Sequence, residues 1–164
     1  MIEKVGIRTI YGHRSFVYKI HLKQSFVFMR FYETPYYNSE RYVVIVDSNK
    51  FYKEWTGKTV EYCVISDGWE QEKYNDAKVG FSKGLSDPVP LALIGYSDTI
   101  SFVNGITRTK LLIRNGAVCF PVECSRKSAK KLYQNLSYKD TKIENVYRLL
   151  NRTSKNFERN DVLG

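Results

Sequence analysis

The sequence predicts an α+β protein, and three observations support this class. Aromatic and β-branched runs dominate the first half of the chain. Residues 89–124 then follow the order strand, glycine turn, helix, glycine stop and strand. Two amphipathic helical patterns come last. We therefore expect a single domain over residues 1–164, with a β-rich N-terminal part (1–66), a central segment (67–124) and two basic C-terminal helices (125–152).

The β-rich part contains four strand patterns. Residues 16–22 alternate, with Phe16, Tyr18, Ile20 and Leu22 on one face. Further strands are predicted at residues 25–32, 42–46 and 59–65, of which 42–46 is typical of a buried strand. Residues 34–39 predict a turn because they contain Pro35 and Asn38. Residues 49–55 predict one or two helical turns before Gly57.

Residues 67–90 have no strong hydrophobic period. Three glycines and two prolines are mixed with charges of both signs, which predicts a long ordered loop with one helical turn at residues 70–74. Long loops inside a compact domain are often functional. Trp69, Tyr74 and Phe81 could stack on a base, but core packing is the favoured interpretation in so aromatic a chain.

Secondary structure is indicated more clearly by the sequence after residue 88. Strands are predicted at residues 89–94, 99–103 and 117–123, and a helix at residues 107–114 that ends at Asn115-Gly116. In the next helix Ala129, Leu132, Tyr133 and Leu136 form one stripe, with Ser125 as its cap. The last helix is predicted from a capping-box pattern at residues 141–144. Residues 151–164 are polar and are expected to fray.

The positive charge is concentrated near the C-terminus. The formal net charge is +9, of which residues 1–100 carry +1 and residues 101–164 carry +8. A concentrated basic region favours a polyanionic partner, whereas a solvated face is the alternative. No window approaches 18 apolar residues and no apolar leader segment is visible, so we expect a cytoplasmic protein without a transmembrane segment. Three cysteines make no disulfide framework, and Cys119 and Cys124 are expected to be packed thiols rather than zinc ligands.

The turn at residues 104–110 has the chemistry of a phosphate site. A glycine turn before a helix exposes unpaired backbone N–H groups, and the helix dipole favours an anion there. Thr107 and Thr109 add hydroxyl donors, and Arg108 adds a forked cation that suits phosphate oxygens. The alternative is an ordinary turn and helix cap without a bound anion, because it would show the same residue types at the same spacing.

A family resemblance begins at the same residues. The segment FVNGITRTKLLIRNGAVCFPVEC resembles the core motif of the ParB/sulfiredoxin superfamily through Gly105, Arg108, Gly116 and Pro121-Val122. Together with the preceding YNDAKVGFSKGLSDPVPLALIGYSDTIS, it is similar to plasmid fertility-inhibition factors of the Osa and FiwA type, over about residues 69–124. The resemblance implies a ParB/sulfiredoxin-like core with extra N-terminal β-strands and two C-terminal helices.

The resemblance also implies a function. Such factors are associated with blocking DNA transfer through type IV secretion systems, and with ATPase and DNase activity. Their phosphate site corresponds here to Gly105, Thr107 and Arg108, with Asn104 and Thr109 beside them. Ile106 stands where sulfiredoxin has its catalytic cysteine, which excludes sulfinic acid reduction. No helix-turn-helix domain follows, so partition-site binding is not expected.

The remaining candidates depend on this interpretation. Hydrolysis of ATP or DNA needs a metal such as Mg²⁺ held by carboxylates, for which Glu70, Glu72 and Asp76 rank first, each with a solvated or paired role as the alternative. DNA is expected on the basic residues Lys110, Arg126, Lys127, Lys130 and Lys131. The rival hypothesis is a non-catalytic protein that occludes a coupling protein or effector of a type IV secretion system. Whether the chain is an enzyme stays open, with a metal-dependent DNase or ATPase as the candidate activity and ATP and Mg²⁺ as candidate cofactors.

Overall fold

A computed structural model describes residues 1–33 and 40–151 of the chain. The turn predicted at residues 34–39 and the polar terminus after Asn151 lie outside the described residues. Nine strands and five helices are present in the described part. In chain order they are β1 (Ile2–Ile10), β2 (His13–His21), β3 (Phe26–Tyr32), β4 (Arg41–Asp47), α1 (Ser48–Thr56), α2 (Trp69–Ser82), β5 (Val89–Pro90), β6 (Ala92–Tyr96), β7 (Ile100–Asn104), α3 (Ile106–Arg114), β8 (Cys119–Ser125), α4 (Arg126–Leu136), β9 (Glu144–Asn145) and α5 (Val146–Leu150).

The strands form two sheets that differ in strand order and in strand direction. The first sheet has the order β1-β2-β3-β5, and its first three strands are an antiparallel meander. The second sheet has the order β7-β6-β8-β4-β9, in which β6 and β8 are parallel and the other pairs are antiparallel. Parallel β6 and β8 need a crossover connection, and β7 with α3 supplies it. This α+β architecture confirms the predicted fold class.

One hydrophobic core joins the two sheets. It includes Phe16 and Tyr18 of β2, Val44 of β4 and Val122 of β8, all fully or almost fully buried. The helices α1 and α4 pack on β4, whereas α2 and α3 pack on each other beside the first sheet and β6. No helix in the described part of the chain is long and apolar enough to cross a membrane.

The predicted loop at residues 67–90 is wrong, because most of it forms the 14-residue helix α2. This helix buries only Tyr74 and Phe81, seven positions apart, so its sequence carries little helical periodicity. The chain then enters β5 and β6, which belong to different sheets, whereas the sequence predicted one strand at residues 89–94.

Two further predictions are corrected. The strand predicted at residues 59–65 is a 3-10 turn (Val60–Tyr62) followed by irregular chain, and of these residues only Cys63 is buried. The capping box predicted at residues 141–144 does not form, because Glu144 pairs with β4 as part of β9. The last helix starts later, and the Asn145 side chain accepts a hydrogen bond from the amide of Arg148 as its cap.

The predicted cap of α4 is confirmed, because the Ser125 side chain accepts a hydrogen bond from the amide of Ser128. The prediction of packed thiols is confirmed too. Cys63, Cys119 and Cys124 are free and buried, and burial raises the pKa of Cys124 to about 12. Such thiols pack as small apolar side chains and are unreactive.

Candidate functional site

The turn before α3 is shaped by its close approach to β6. Gly105 has φ +96°, a conformation that side chains rarely adopt. A Cβ atom placed on Gly105 would lie 2.6 Å from Cβ and 2.7 Å from Cα of Ala92. Both the backbone angle and the short distance to Ala92 therefore require glycine here. The close approach fixes the start of α3 directly against β6.

Among the described residues, no side chain caps the N-terminus of α3. The first N–H groups of any helix lack an intrahelical acceptor, and the helix dipole puts partial positive charge at the same place. The start of α3 therefore presents free hydrogen-bond donors together with a favourable field for an anion.

Arg108 is held in place by two acceptors. Its Nη1 donates to the carbonyl of Pro90 at 2.8 Å, and its Nη2 donates to Oδ1 of Asn104 at 3.1 Å. Asn104 Oδ1 also accepts from the amide of Leu93 at 3.1 Å. Burial lowers the pKa of the Arg108 guanidinium, which stays charged because its ordinary pKa is so high. The Arg108 side chain thus links β5 of the first sheet to the α3 turn of the second.

The two threonines of the turn differ. Thr109 is buried, and its hydroxyl donates to the carbonyl of Gly105 at 2.8 Å, within the helix. Thr107 is half-buried and lines the groove in front of the turn. Of the two predicted hydroxyl donors, only Thr107 faces the space where an anion would lie.

An open groove of about 490 Å³ lies in front of the turn. Residues 102–108 form one wall, and Lys73, Asp76 and Ala77 of α2 form the other. The groove therefore combines two cations, one carboxylate and a helix N-terminus. Sequence reasoning missed Lys73 and Ala77, because their position depends on α2, which was not predicted. Once α2 is known, the spacing of residues 73, 76 and 77 places them on one helix face.

The three predicted carboxylates are separated by the structure. Asp76 lines the groove. Glu70 forms an ion pair with Lys110 of α3, and the hydrogen bond from Lys110 lowers the pKa of the Glu70 carboxyl. Glu72 is exposed and does not line the groove. Within residues 1–33 and 40–151, no group of three or more His, Cys, Asp or Glu side chains could hold a metal ion.

The predicted DNA-binding residues fall into two environments. Lys110 is half-buried in its ion pair with Glu70. The others lie on α4, where Arg126, Lys127 and Lys130 are exposed. Lys131 is half-buried, with its Nζ 4.4 Å from the centroid of the Tyr96 ring. The basic face of α4, defined as Arg126, Lys127, Lys130 and Lys131, contributes no residue to the groove.

The predicted aromatic side chains have different roles. Tyr74 and Phe81 are buried in the core, which agrees with the favoured interpretation. Trp69 is 71% exposed at the start of α2, and Lys73 Nζ lies 4.9 Å from the centroid of its ring. Of the three aromatics, only Trp69 is available to stack on a base.

Comparisons with known proteins agree on one family. The family model described as "Plasmid Fertility inhibition factor" matches residues 43–137. A solved structure of similar fold is the crystal structure of Oncogenic Suppression Activity Protein, a plasmid fertility inhibition factor, in its gold(I) cyanide derivative. The TM-score is 0.66 at 22% sequence identity, over 83% of this chain and 76% of that chain. No curated protein matches the chain.

Proposed function

Because the chain belongs to the plasmid fertility inhibition factor family, we propose that it blocks conjugative DNA transfer through a type IV secretion system by binding nucleotide or DNA phosphates in the α3 groove. The partners in this proposal are DNA and a coupling protein or effector of the secretion system. The site of action is the cytoplasm of the cell that carries the plasmid.

The observation that supports phosphate binding most strongly is the uncapped start of α3 beside a fixed guanidinium. Arg108 is already oriented, so little side-chain entropy is lost when an anion binds nearby. Lys73 adds a second cation from the opposite wall of the groove, and Thr107 adds a hydroxyl donor. A phosphate group matches this donor set in charge and in number of acceptor oxygens.

Asp76 is the residue on which our proposal of hydrolysis, in addition to phosphate binding, depends. A carboxylate beside a bound phosphate is where Mg²⁺ would be held, and Mg²⁺ would supply the activated water for hydrolysis of ATP or of a phosphodiester. Arg108 and Lys73 would then hold and orient the phosphate. The DNase and ATPase activities in this proposal therefore depend on Asp76 more than on Glu70 or Glu72.

A test of phosphate binding should not depend on Arg108, because loss of its two hydrogen bonds would also destabilise the turn. Thr107→Glu places a carboxylate in the first turn of α3, where the helix dipole tolerates it. We expect the affinity for ATP and for a short single-stranded oligonucleotide to fall by at least about tenfold, since the new charge occupies the anion position and repels phosphate. The matched control is Thr107→Gln, which has nearly the same shape as glutamate but no charge; it replaces the hydroxyl donor by an amide donor, so it should lose much less affinity than Thr107→Glu.

The same pair of variants connects the site to the biological role. In a donor strain that expresses the protein, Thr107→Glu should restore plasmid transfer, and Thr107→Gln should still inhibit it. Equal inhibition by both variants would separate fertility inhibition from phosphate binding.

The exposed basic face of α4 favours a second candidate, a non-catalytic protein that docks on an acidic partner or on DNA. Replacing its four cations by glutamine should lower DNA affinity and reduce the slope of log affinity against log salt by about 0.9 for each DNA phosphate that the variant no longer neutralises. An unchanged slope would assign this face to solubility or to an acidic protein. Transfer inhibition that survives Thr107→Glu but not the quadruple change would favour docking.

A further inference from the structure

Apolar side chains line both walls of the groove in front of α3. Phe102, Val103 and Ile106 lie on one wall, and Ala77 lies on the other. Val103 is 72% exposed and Ile106 is 46% exposed. A phosphate group by itself needs donors and cations, and it gains nothing from apolar walls. The groove therefore suits a phosphate that is joined to a group with apolar surface.

Trp69 extends one wall of the groove by a helical turn. Positions 69, 73 and 76 of α2 are spaced four and three residues apart, so their side chains share one face of the helix. Lys73 and Asp76 on this face line the groove. Trp69 lies about 6 Å along the helix axis from Lys73, since each residue of an α-helix rises about 1.5 Å.

The Trp69 indole is exposed to an extent that is unusual for tryptophan. It is 71% exposed, although tryptophan side chains are highly buried on average. The other tryptophan, Trp55, is half-buried and packs against Tyr52 and Phe102. A large exposed ring next to a groove that holds cations is the combination on which proteins stack unpaired nucleobases.

We propose that the groove binds a nucleotide whose base is unpaired, with the phosphate between Lys73 and Arg108 and the base stacked on Trp69. This inference rests on the proposed function, which puts a phosphate in the groove, and it specifies what that phosphate is attached to. The sugar between a phosphate and its base spans a distance similar to the helical turn between Lys73 and Trp69.

Lys73 would contact both parts of such a ligand. Its Nζ lies 4.9 Å from the centroid of the Trp69 ring, and its side chain also lines the groove. The ammonium group is attracted to the ring and would neutralise charge on the phosphate. Because Lys73 lies over one face of the ring and the indole is largely exposed, the other face is accessible to a base.

The proposal distinguishes single strands from duplexes. In a duplex the bases are paired and stacked inside, so phosphates and sugars would reach the groove but no base would reach Trp69. We therefore expect single-stranded DNA to bind more tightly than duplex DNA. ATP carries the same chemistry, an unpaired base joined to phosphate, and should bind more tightly than inorganic tripolyphosphate.

Competition binding followed by fluorescence anisotropy tests the role of the base. The competitors are a short oligonucleotide of mixed sequence, its duplex, and an abasic strand with the same number of phosphates. The parent protein should prefer the base-containing strand over the abasic strand by about fivefold or more, the effect of stacking one base. Trp69→Leu should remove this preference, and Trp69→Phe should restore part of it, because a phenyl ring still stacks.

The matched control is Tyr147→Leu, which removes an aromatic side chain that is 57% exposed on α5 and does not line the groove. It should keep the preference of the parent protein. Because Trp69 is exposed, Trp69→Leu should fold like the parent, and urea denaturation checks this.

A second comparison identifies the source of the nucleotide. If Trp69→Leu lowers the preference for ATP over tripolyphosphate as well, the site takes a free nucleotide, whereas an effect on the oligonucleotide alone assigns it to a DNA strand. Either result supports the proposal. Equal binding of base-containing and base-free ligands, or a preference that Trp69→Leu does not lower more than Tyr147→Leu does, overturns it and leaves phosphate binding intact. Absence of binding to all of these ligands overturns the proposed function as well.

Discussion

Both ends of α3 have an Asn-Gly dipeptide, but the two ends differ in how their backbone N–H and C=O groups are capped. At the C-terminal end, Asn115-Gly116 closes the helix: the amides of Asn115, Gly116 and Ala117 donate to the carbonyls of Leu111, Ile113 and Leu112. At the N-terminal end, Asn104-Gly105 starts the helix without a side-chain cap from the described residues. The same pair of residues therefore satisfies one helix end and leaves the other available to a ligand.

The difference comes from what the asparagine does. Asn115 Nδ2 donates to the carbonyl of Leu111 at 2.7 Å and to the Tyr74 hydroxyl at 3.2 Å, so its side chain serves the helix and its packing. Asn104 Oδ1 instead accepts from Leu93 and Arg108. Its side chain holds the Arg108 guanidinium in place and does not cap the first amides of α3. Similar sequence at two helix ends thus closes the backbone groups of one end and leaves the other end without a side-chain cap from the described part of the chain.

The largest effect we expect is on catalytic turnover in the groove at the N-terminal end of α3. If the groove hydrolyses ATP or DNA in magnesium, Asp76→Asn should lower kcat by about 100-fold or more while nucleotide binding persists, since the phosphate donors remain. Glu72→Gln is the control, because Glu72 does not line the groove. Removal of Mg²⁺ by a chelator should have the same effect as Asp76→Asn. Full activity after replacement of Glu70, Glu72 and Asp76 by amides would place the chemistry elsewhere.

The next effect is on stability, and it compares the two glycines. Gly105→Ala should lower the free energy of unfolding by about 2–4 kcal/mol, because it adds backbone strain to a clash with β6. Gly116→Ala should cost less, about 1–3 kcal/mol, because its added Cβ meets Lys23, 2.7 Å away in the connection between β2 and β3 rather than in a strand of the second sheet. Gly57→Ala, also at positive φ but in open space, should cost only about 1 kcal/mol. Urea denaturation gives all three values, and equal losses would refute the role assigned to β6.

The two asparagines should separate stability from binding. Asn104→Ala and Asn115→Ala each remove two hydrogen bonds, and each should cost about 1–2 kcal/mol. Only Asn104→Ala should also weaken phosphate binding, by a few-fold, because it releases Arg108. Titration calorimetry with ATP on both folded variants checks this difference. A similar loss of affinity in both would mean that the two ends are not functionally distinct.

The smallest effect is a pH dependence from the ion pair beside the groove. The pKa of Glu70 is lowered in the folded protein by its hydrogen bond with Lys110, so the pair stabilises the fold above the ordinary pKa near 4.5 and this contribution is lost as the pH falls through the lowered value. The pair is partly exposed, so the effect should lie within the ~0–1 kcal/mol of such pairs. Comparing unfolding of Glu70→Gln and the parent protein from neutral to acid pH measures it. A difference that grows on acidification would have the wrong sign.

The sequence predicted α3 well because its evidence is local. Gly105 and Gly116 mark the ends, and Leu111 and Leu112 are buried as expected. It failed at α2, whose two buried positions are too few to show a period. β1 was not predicted either, since charges and the irregularity near Gly6 interrupt its alternation.

For the site, the glycine turn was predictable and its surroundings were not. The acceptor for Arg108 is the carbonyl of Pro90, 18 residues away and in the other sheet. Asp76 reaches the groove because α2 packs on α3, which no local pattern indicates. Thr109 is buried by tertiary packing, and its hydroxyl therefore donates to the carbonyl of Gly105 in its own helix rather than to a ligand; no local pattern indicates this either.

The order of strands in the second sheet also has a consequence for synthesis on the ribosome. β4 lies between β8 and β9, and both neighbours come later in the chain, with 71 residues separating the end of β4 from the start of β8. At about 5–20 residues per second, roughly 4–14 s pass before β8 is made. During that time β1, β2 and β3 are able to pair with one another, whereas the apolar strand β4 has neither of its neighbours. A nascent chain that stops before residue 119 would therefore expose β4 and be prone to aggregation, so useful truncations should keep β8.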